Sequence, residues 1–237
     1  HLREPGYEYK ETIRSGSDAA AVGGFTSIAC MPNTLPVNDN RTVTEYILKR
    51  AKECDTVHVY PVAAVSRNSE GKILAEFGDL KEAGAIAFSD DGKPVMNSIL
   101  MRRALEYASS LDRIIISHCE DLNLSAGGLM NEGKISTELG LPGIPTLAED
   151  VMVARDLLLA EFSGAALHIA HVSSAGAVRM IRDAKKRGVR VTAETTPHYF
   201  TLTDEAVTNF DTNTKVSPPL RSREDLQAVR EGLRDGT

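Results

Sequence analysis

The chain has 237 residues, of which 42% are apolar and 25% are charged, and its formal net charge is −6. This composition is ordinary for a globular protein, and a negative net charge argues against a nucleic-acid-binding surface. Three widely spaced cysteines argue against a disulfide framework, and no apolar run approaches the length of a membrane span, so we expect a cytoplasmic enzyme without a membrane partner.

Short apolar runs alternate along the chain with segments of helical spacing. The runs predict buried strands at residues 25–31, 57–65, 85–89, 113–118, 167–172 and 189–195. Helices are predicted at residues 18–22, 42–52, 73–83, 98–110, 146–161 and 175–187, and residues 127–145 are expected to form an irregular rim loop. This alternation predicts an α/β fold with a parallel sheet, either a (β/α)8 TIM-type barrel or an open doubly wound sheet.

Six strands are too few to close a barrel of eight. We therefore expect residues 1–237 to form a single, partial barrel domain whose first and last strands are missing from this chain.

Polar side chains follow several predicted strands at the point where each strand ends. Asp91 follows the third run, His118 ends the fourth, and His171 follows the apolar core of the fifth. The carboxyl ends of parallel strands meet at one edge of the sheet, where functional side chains gather. Imidazole and carboxylate groups without cysteine are typical ligands of Zn²⁺ or a similar divalent ion. His1 would project at the same edge if a strand ended just before Leu2.

Each of these residues also has a structural interpretation. A single histidine at a strand end is more often a hydrogen-bonded structural residue than a metal ligand, and Asp90-Asp91-Gly92 has the sequence of a turn. Cys119 has no evident orienting base and is interpreted as a packing residue, whereas a role for His198 near the site stays open.

Seven motifs occur in a characteristic order, namely "HLREPG", "CMPNT", "AFSDDG", "SHCED", "LHIAHVSSAGAV", "TPHYF" and "SPPLRS". In this order and spacing the chain resembles the dihydroorotases, specifically the bacterial type I branch of the metal-dependent amidohydrolase superfamily. The resemblance implies a TIM-type barrel and a zinc-dependent cyclic amidohydrolase with one or two Zn²⁺ ions.

The resemblance also implies the metal ligands. His1 and Asp91 would bind one ion, and Asp91, His118 and His171 would bind a second, with Asp91 as the catalytic bridge. In the family a further aspartate carries the proton during catalysis, and it would fall beyond the C-terminal end of this chain.

Three further residues are implied to bind the substrate. Arg3 and Asn33 correspond to a clamp for the substrate carboxylate, and a planar guanidinium with a neutral amide suits that anion. Ser217 stands in "SPPLR" where the family commonly has Asn, which puts one substrate hydrogen bond in doubt.

The implied reaction is the reversible hydrolysis of (S)-dihydroorotate to N-carbamoyl-L-aspartate in pyrimidine biosynthesis, through attack of a metal-bound hydroxide on the ring amide. Two alternatives stay open. One is another cyclic amidohydrolase, acting on hydantoins, dihydropyrimidines or allantoin. The other is a non-catalytic dihydroorotase-like subunit that supports aspartate transcarbamoylase. A homodimer or an association with aspartate transcarbamoylase is the partner that the resemblance suggests.

Overall fold

The computed structural model describes every residue from His1 to Thr237, and the chain folds into two compact units, His1–Ser117 and His118–Thr237. Both units combine helices with parallel strands. None of the helices is both long and apolar enough to cross a membrane.

The first unit alternates strands and helices along its whole length. Its sheet has the strand order β1 (Ser27–Cys30), β2 (His58–Ala63), β3 (Ala87–Phe88) and β4 (Ile114–Ser117), with every pair parallel. The connecting helices are α1 (Ile13–Val22), α2 (Arg41–Cys54), α3 (Phe77–Glu82) and α4 (Ser98–Ser110). Because each strand returns through a helix, all four strands end at the same edge of this sheet.

Side-chain caps determine where helices of the first unit begin. Thr12 and Ser15 form a capping box at α1, in which each side chain accepts a hydrogen bond from the other's backbone N–H at 3.0 Å. Asn40 caps α2 by accepting from Val43 N, and Asn97 caps α4 in the same way. These caps satisfy backbone N–H groups that have no partner within the helix.

Stacked aromatic rings hold α3 and α4 against the sheet. The ring of Phe77 in α3 lies 3.8 Å from that of Phe88 in β3 and 5.0 Å from that of Tyr107 in α4, measured between centroids. Phe77 and Phe88 are both 0% exposed. The end of β3, which leads directly to Asp91, is therefore anchored in the core of this unit.

The second unit contains five helices and two pairs of parallel strands. The helices are α5 (Leu122–Ser125), α6 (Lys134–Leu139), α7 (Leu147–Ser163), α8 (Ala175–Lys186) and α9 (Arg223–Asp235). The strands are β5 (Met130–Asn131), β6 (Gly143–Ile144), β7 (Leu167–Ile169) and β8 (Val191–Ala193), of which β5 pairs with β6 and β7 with β8. Short 3-10 helices occupy much of the segment between β8 and α9.

The structure confirms the α/β fold with parallel strands, and all six predicted strands are present in shortened form. Two predicted boundaries are wrong. Helix α1 begins at Ile13 rather than at residue 18, because the capping box of Thr12 and Ser15 starts the helix there. Helix α3 begins at Phe77 rather than at residue 73, because the preceding segment pairs with extended backbone, with Ala75 N donating to Val65 O at 2.9 Å.

Residues 127–145 are also more regular than expected. They contain β5, α6 and β6, so the prediction of an irregular loop is wrong there. Two-residue strands carry no hydrophobic periodicity that a sequence could show. The extent of a single barrel domain over residues 1–237 stays a prediction.

Candidate metal centre

In the first unit, a carboxylate and an imidazole predicted to bind metal lie side by side. Nε2 of His1 is 3.2 Å from Oδ2 of Asp91, whose side chain is only 4% exposed. Asp91 comes three residues after the end of β3. Two donor atoms of a tetrahedral Zn²⁺ site, each about 2.0–2.1 Å from the ion, lie about 3.3 Å apart. The observed separation of His1 and Asp91 matches that spacing.

Asn33 follows β1 and directs its amide at both of these residues. Its Nδ2 lies 2.8 Å from Nδ1 of His1 and donates to the main-chain oxygen of Asp91 at 3.4 Å. Because Nδ1 then accepts, the neutral imidazole of His1 carries its proton on Nε2, facing Asp91. Oδ1 of Asn33 is buried without a hydrogen-bond partner. A cation bound to Nε2 of His1 would shift the imidazole proton to Nδ1. Oδ1 of Asn33 could then accept this proton, once the side-chain amide had rotated so that its oxygen and nitrogen exchange places.

Arg3 lies in the same unit with its guanidinium free. Its backbone has a φ of +61°, in a tight turn where Glu4 N donates to Leu2 O at 2.7 Å. The side chain is half-buried and makes no hydrogen bond or ion pair with the rest of the chain. An unpaired guanidinium of this kind is available to an anionic ligand. Asn33, by contrast, already uses its amide donors on His1 and Asp91, so the two residues of the expected clamp are not equivalent.

In the second unit, two further predicted ligands are in direct contact. Nδ1 of His118 lies 2.7 Å from Nε2 of His171, and the rings are nearly perpendicular, with centroids 4.7 Å apart. His118 follows β4 and is buried, whereas His171 follows β7 and is half-buried. Two imidazole nitrogens on one tetrahedral ion would have to separate by about 0.6 Å from this position. A movement of that size is within the reach of side-chain rotation.

Glu120 fixes the orientation of His118. Its Oε2 lies 3.0 Å from Nε2 of His118, and this hydrogen bond is the main cause that holds the pKa of Glu120 below its usual value, against the opposing effect of burial. The carboxylate therefore accepts the Nε2 proton, which leaves Nδ1 of His118 with its lone pair. A carboxylate in this position is typical of histidines that bind metal.

Ser217 lies in the second unit, where it lines a small cavity. The side chain is exposed, and the cavity is also lined by Cys119, Glu120 and Arg221. The following residue is fixed by a buried tyrosine, because the hydroxyl of Tyr199 donates to Pro218 O at 2.6 Å. Ser217 and Glu120, the carboxylate that bonds to His118, therefore line the same cavity of this unit, and a role of Ser217 in substrate binding stays a prediction.

His198, Glu149 and Arg221 also interact with His171 or with the residues that follow it. Burial, with a smaller effect of His171, lowers the pKa of His198, whose Nε2 lies 2.8 Å from Oγ1 of Thr196. Glu149 and Arg221 are both 4% exposed and contact the backbone or side chains that follow His171. Only Arg221 had a sequence signal, its position in "SPPLR".

The donor set fits a divalent cation. Each unit brings together two of the predicted ligands, the donors are nitrogen and oxygen atoms that suit zinc, and a buried acceptor on Asn33 and a carboxylate on Glu120 stand ready to orient the two imidazoles.

Comparison with known proteins identifies the family of this chain. The family model described as dihydro-orotase-like matches residues 1–177. The chain is 99% identical over 237 residues to a dihydroorotase of Syntrophus aciditrophicus and 66% identical over 240 residues to one of Pelotomaculum thermopropionicum. All of the chain is covered in both cases, but only 56% and 55% of the two relatives, so the chain spans about half the length of the curated relatives it matches.

Solved structures show the same fold at low identity. An L-hydantoinase (dihydropyrimidinase) from Arthrobacter aurescens superposes with a TM-score of 0.79 at 24% identity, covering 94% of this chain and 51% of that one. A dihydroorotase from Saccharomyces cerevisiae, solved in complex with 5-fluoroorotic acid, superposes with a TM-score of 0.68 at 16% identity, covering 93% and 62%. These likenesses confirm the α/β architecture of part of a TIM-type barrel. By the match of the dihydro-orotase-like model to three quarters of its residues, the chain belongs to the dihydro-orotase-like family.

Proposed function

We propose that a polypeptide containing this chain is a dihydroorotase, which hydrolyses (S)-dihydroorotate reversibly to N-carbamoyl-L-aspartate in pyrimidine biosynthesis. The observation that carries the proposal is the pairing of predicted metal donors, with His1 beside Asp91 in one unit and His118 beside His171 in the other. Family membership and the names of the relatives support the same activity.

We assign His1, Asp91, His118 and His171 as ligands of one or two Zn²⁺ ions, with Asp91 as the catalytic bridge. Carboxylate and imidazole side chains of this kind can hold a metal ion. When bound, a zinc ion supplies Lewis acidity, which polarises a carbonyl group and lowers the pKa of water to about 7.

The side chains of this chain would bind and orient the substrate. Arg3 lies two residues after His1 and makes no hydrogen bond or ion pair with the rest of the chain, so its guanidinium is assigned to the substrate carboxylate. Asn33 would contribute a second polar contact, and its unpaired Oδ1 would accept the Nδ1 proton of His1 once the amide had rotated to face it, which leaves Nε2 free to bind a metal. Ser217 would offer a hydroxyl in place of the usual amide. Fixing the carboxylate turns the ring amide toward the metal ligands.

The free guanidinium distinguishes this proposal from the nearest alternative. Hydantoins and dihydropyrimidines carry no carboxylate, so an unpaired Arg3 would have no function with them. A non-catalytic subunit is disfavoured because each metal-binding position that falls within this chain holds a ligating side chain.

The proposal also covers location and partners. A cytoplasmic location is supported by three cysteines, Cys30, Cys54 and Cys119, all of which are buried and free. Association with a second copy or with aspartate transcarbamoylase rests on the family resemblance alone. Light scattering on the protein alone tests for a homodimer, and light scattering on its mixture with aspartate transcarbamoylase tests for that complex.

The decisive experiment compares two neighbouring aspartates. Asp91→Asn and Asp90→Asn would be introduced into a polypeptide of the relatives' full length, since both carboxylates are 4% exposed and the substitutions are isosteric. Asp90 accepts from Ser66 N at 3.0 Å and has no place in the proposed site. We expect Asp91→Asn to lose bound metal and dihydroorotate turnover, while Asp90→Asn keeps metal. Normal metal content and turnover in Asp91→Asn would exclude the assignment, and anomalous scattering at the zinc edge identifies the ion.

A further inference from the structure

The turn that follows β7 has an unusual backbone at His171. Its φ is +39°, in the left-handed region that residues other than glycine rarely adopt. Such a conformation costs about 1 kcal/mol or more and persists only where neighbouring groups hold it. The residues that hold this turn therefore determine where the imidazole of His171 points.

One carboxylate accepts from most of the donors after His171. Oε1 of Glu149, in the first turn of α7, accepts from the backbone N–H of Ser173 at 2.9 Å and from that of Ser174 at 3.2 Å. Its other oxygen, Oε2, accepts from the hydroxyl of Ser173. The intervening Val172 N donates to Glu194 O at 2.8 Å. Every backbone donor from residue 172 to residue 174 is thus satisfied, two of them by Glu149.

Arg221 compensates the charge of Glu149 within the same buried cluster. Its Nη2 lies 3.6 Å from Oε2 of Glu149, and its Nε donates to Oγ of Ser173 at 3.1 Å. The same guanidinium donates through Nη1 to Oδ1 of Asn131 at 3.1 Å and to Ile144 O at 2.9 Å. Arg221 therefore joins Glu149 and the turn to β5 and β6.

We infer that Glu149 is a positioning residue for His171, held in place by Arg221. Glu149 acts through the backbone of the turn rather than by touching a ligand atom. The inference rests on the proposed function in one respect, since His171 is taken as a metal ligand. A purely structural ion pair would stabilise the fold without affecting the affinity of the folded protein for metal.

The next residue, Asp150, provides a matched control. Its Oδ1 accepts from the hydroxyl of Ser174 at 2.6 Å, and that hydroxyl in turn caps α8 by accepting from Ala177 N at 3.0 Å. Asp150 thus holds the start of α8 and bonds to no backbone N–H of the turn. Glu149→Gln keeps one acceptor oxygen but places an NH2 group against the Ser173 hydroxyl or Arg221. Asp150→Asn makes the same chemical change one residue away.

The test measures two properties of these variants in a polypeptide of the relatives' full length. One is hydrogen exchange at the Ser173 and Ser174 amides in metal-free protein, and the other is Zn²⁺ affinity by competition with a chelator. In Glu149→Gln we expect both amides to exchange faster and Zn²⁺ to bind about tenfold more weakly, the lower end of the effect of residues that orient ligands. In Asp150→Asn both properties should stay near those of the unmodified protein.

A folded Glu149→Gln variant with unchanged exchange and unchanged Zn²⁺ affinity would overturn the inference. If the unmodified protein bound no divalent ion, the proposed function would fail, while faster exchange at Ser173 and Ser174 would still support the positioning role. Should Glu149→Gln not fold, Ser173→Ala replaces it, because it removes only the hydroxyl shared by Glu149 and Arg221. The same two changes are expected, and their absence counts equally against the inference.

Discussion

Nδ1 of His118 lies 2.7 Å from Nε2 of His171, although 53 residues separate them along the chain. Because Glu120 accepts the Nε2 proton of His118, the nitrogen facing His171 is an acceptor, and Nε2 of His171 must donate. The contact therefore occurs through the two ring nitrogens that a shared ion would occupy.

Removing the orienting carboxylate of Glu120 should weaken metal binding. Glu120→Ala leaves the Nε2 proton of His118 without its acceptor, so we expect Zn²⁺ affinity to fall by about tenfold to a hundredfold. Glu120→Gln still offers a carbonyl oxygen and should retain most of the affinity. Isothermal titration with Zn²⁺ checks both variants, and equal affinities for Ala and Gln would contradict the orienting role.

Replacing Arg3 should remove recognition of the substrate carboxylate. Arg3→Met deletes the unpaired guanidinium while keeping much of its apolar volume, and a charge-assisted hydrogen bond contributes about 1.5–3 kcal/mol. We expect kcat/KM for dihydroorotate to fall by about tenfold to a hundredfold or more, with little change for dihydrouracil, which has no carboxylate. A variant that kept its preference for dihydroorotate over dihydrouracil would rule out the clamp.

A buried carboxylate in the first unit should make stability depend on acidity. Burial acts to raise the pKa of Glu4, but hydrogen bonds from Arg50, the Ile13 N–H and Tyr46 outweigh it, so the pKa lies below the usual 4.5. A lowered pKa contributes stability that is present above pH 4.5 and is lost as the pH falls through the pKa of the folded protein.

We therefore expect Glu4→Gln to lower the free energy of unfolding by about 1–3 kcal/mol at pH 7. The loss should become smaller as the pH falls below the ordinary pKa of a glutamate carboxyl. The control is Glu53→Gln, because Glu53 is a more exposed partner of Arg50 and should contribute less than about 1 kcal/mol. Urea denaturation at several pH values measures both. Identical pH profiles for the unmodified protein and Glu4→Gln would refute the expectation.

The aromatic stack beneath β3 should contribute strongly to stability. Phe77→Ala removes a ring that contacts Phe88 and Tyr107 in the core, and we expect a loss of about 3–5 kcal/mol in the free energy of unfolding. Phe25, at 63% exposure, is the matched control, and Phe25→Ala should change stability by no more than about 0.5 kcal/mol. Chemical denaturation measures both variants. Similar losses in the free energy of unfolding for Phe77→Ala and Phe25→Ala would contradict a stabilising role for the aromatic stack.

The strands were predictable because continuous apolar runs mark chain segments that are buried on both faces. Helix α9 could also have been predicted, since Ser222 and Asp225 form a capping box before apolar residues at helical spacing, Leu226 and Val229. The shortened α3 could not, because its start depends on the pairing of Ala75 N with Val65 O, which is a tertiary contact.

The residues of the site also fall into those that the sequence could indicate and those that depend on tertiary contacts. Strand ends indicated Asp91, His118 and His171, because functional side chains in parallel α/β folds commonly follow the carboxyl ends of strands. Glu149 gave no signal, because its importance depends on contacts with Ser173 and Arg221, which lie 24 and 72 residues further along the chain. The direction of the Asn33 amide also required coordinates, since residue type alone does not say which neighbour an amide faces.

The left-handed backbone of His171 implies a conflict between folding and chemistry at one position. Glycine adopts a φ of +39° without steric cost, so His171→Gly should relax the polypeptide locally even though it deletes a ligand. Random mutagenesis selected only for thermal resistance would then favour loss of the imidazole. Retention of histidine at this position would have to be enforced by selection for activity.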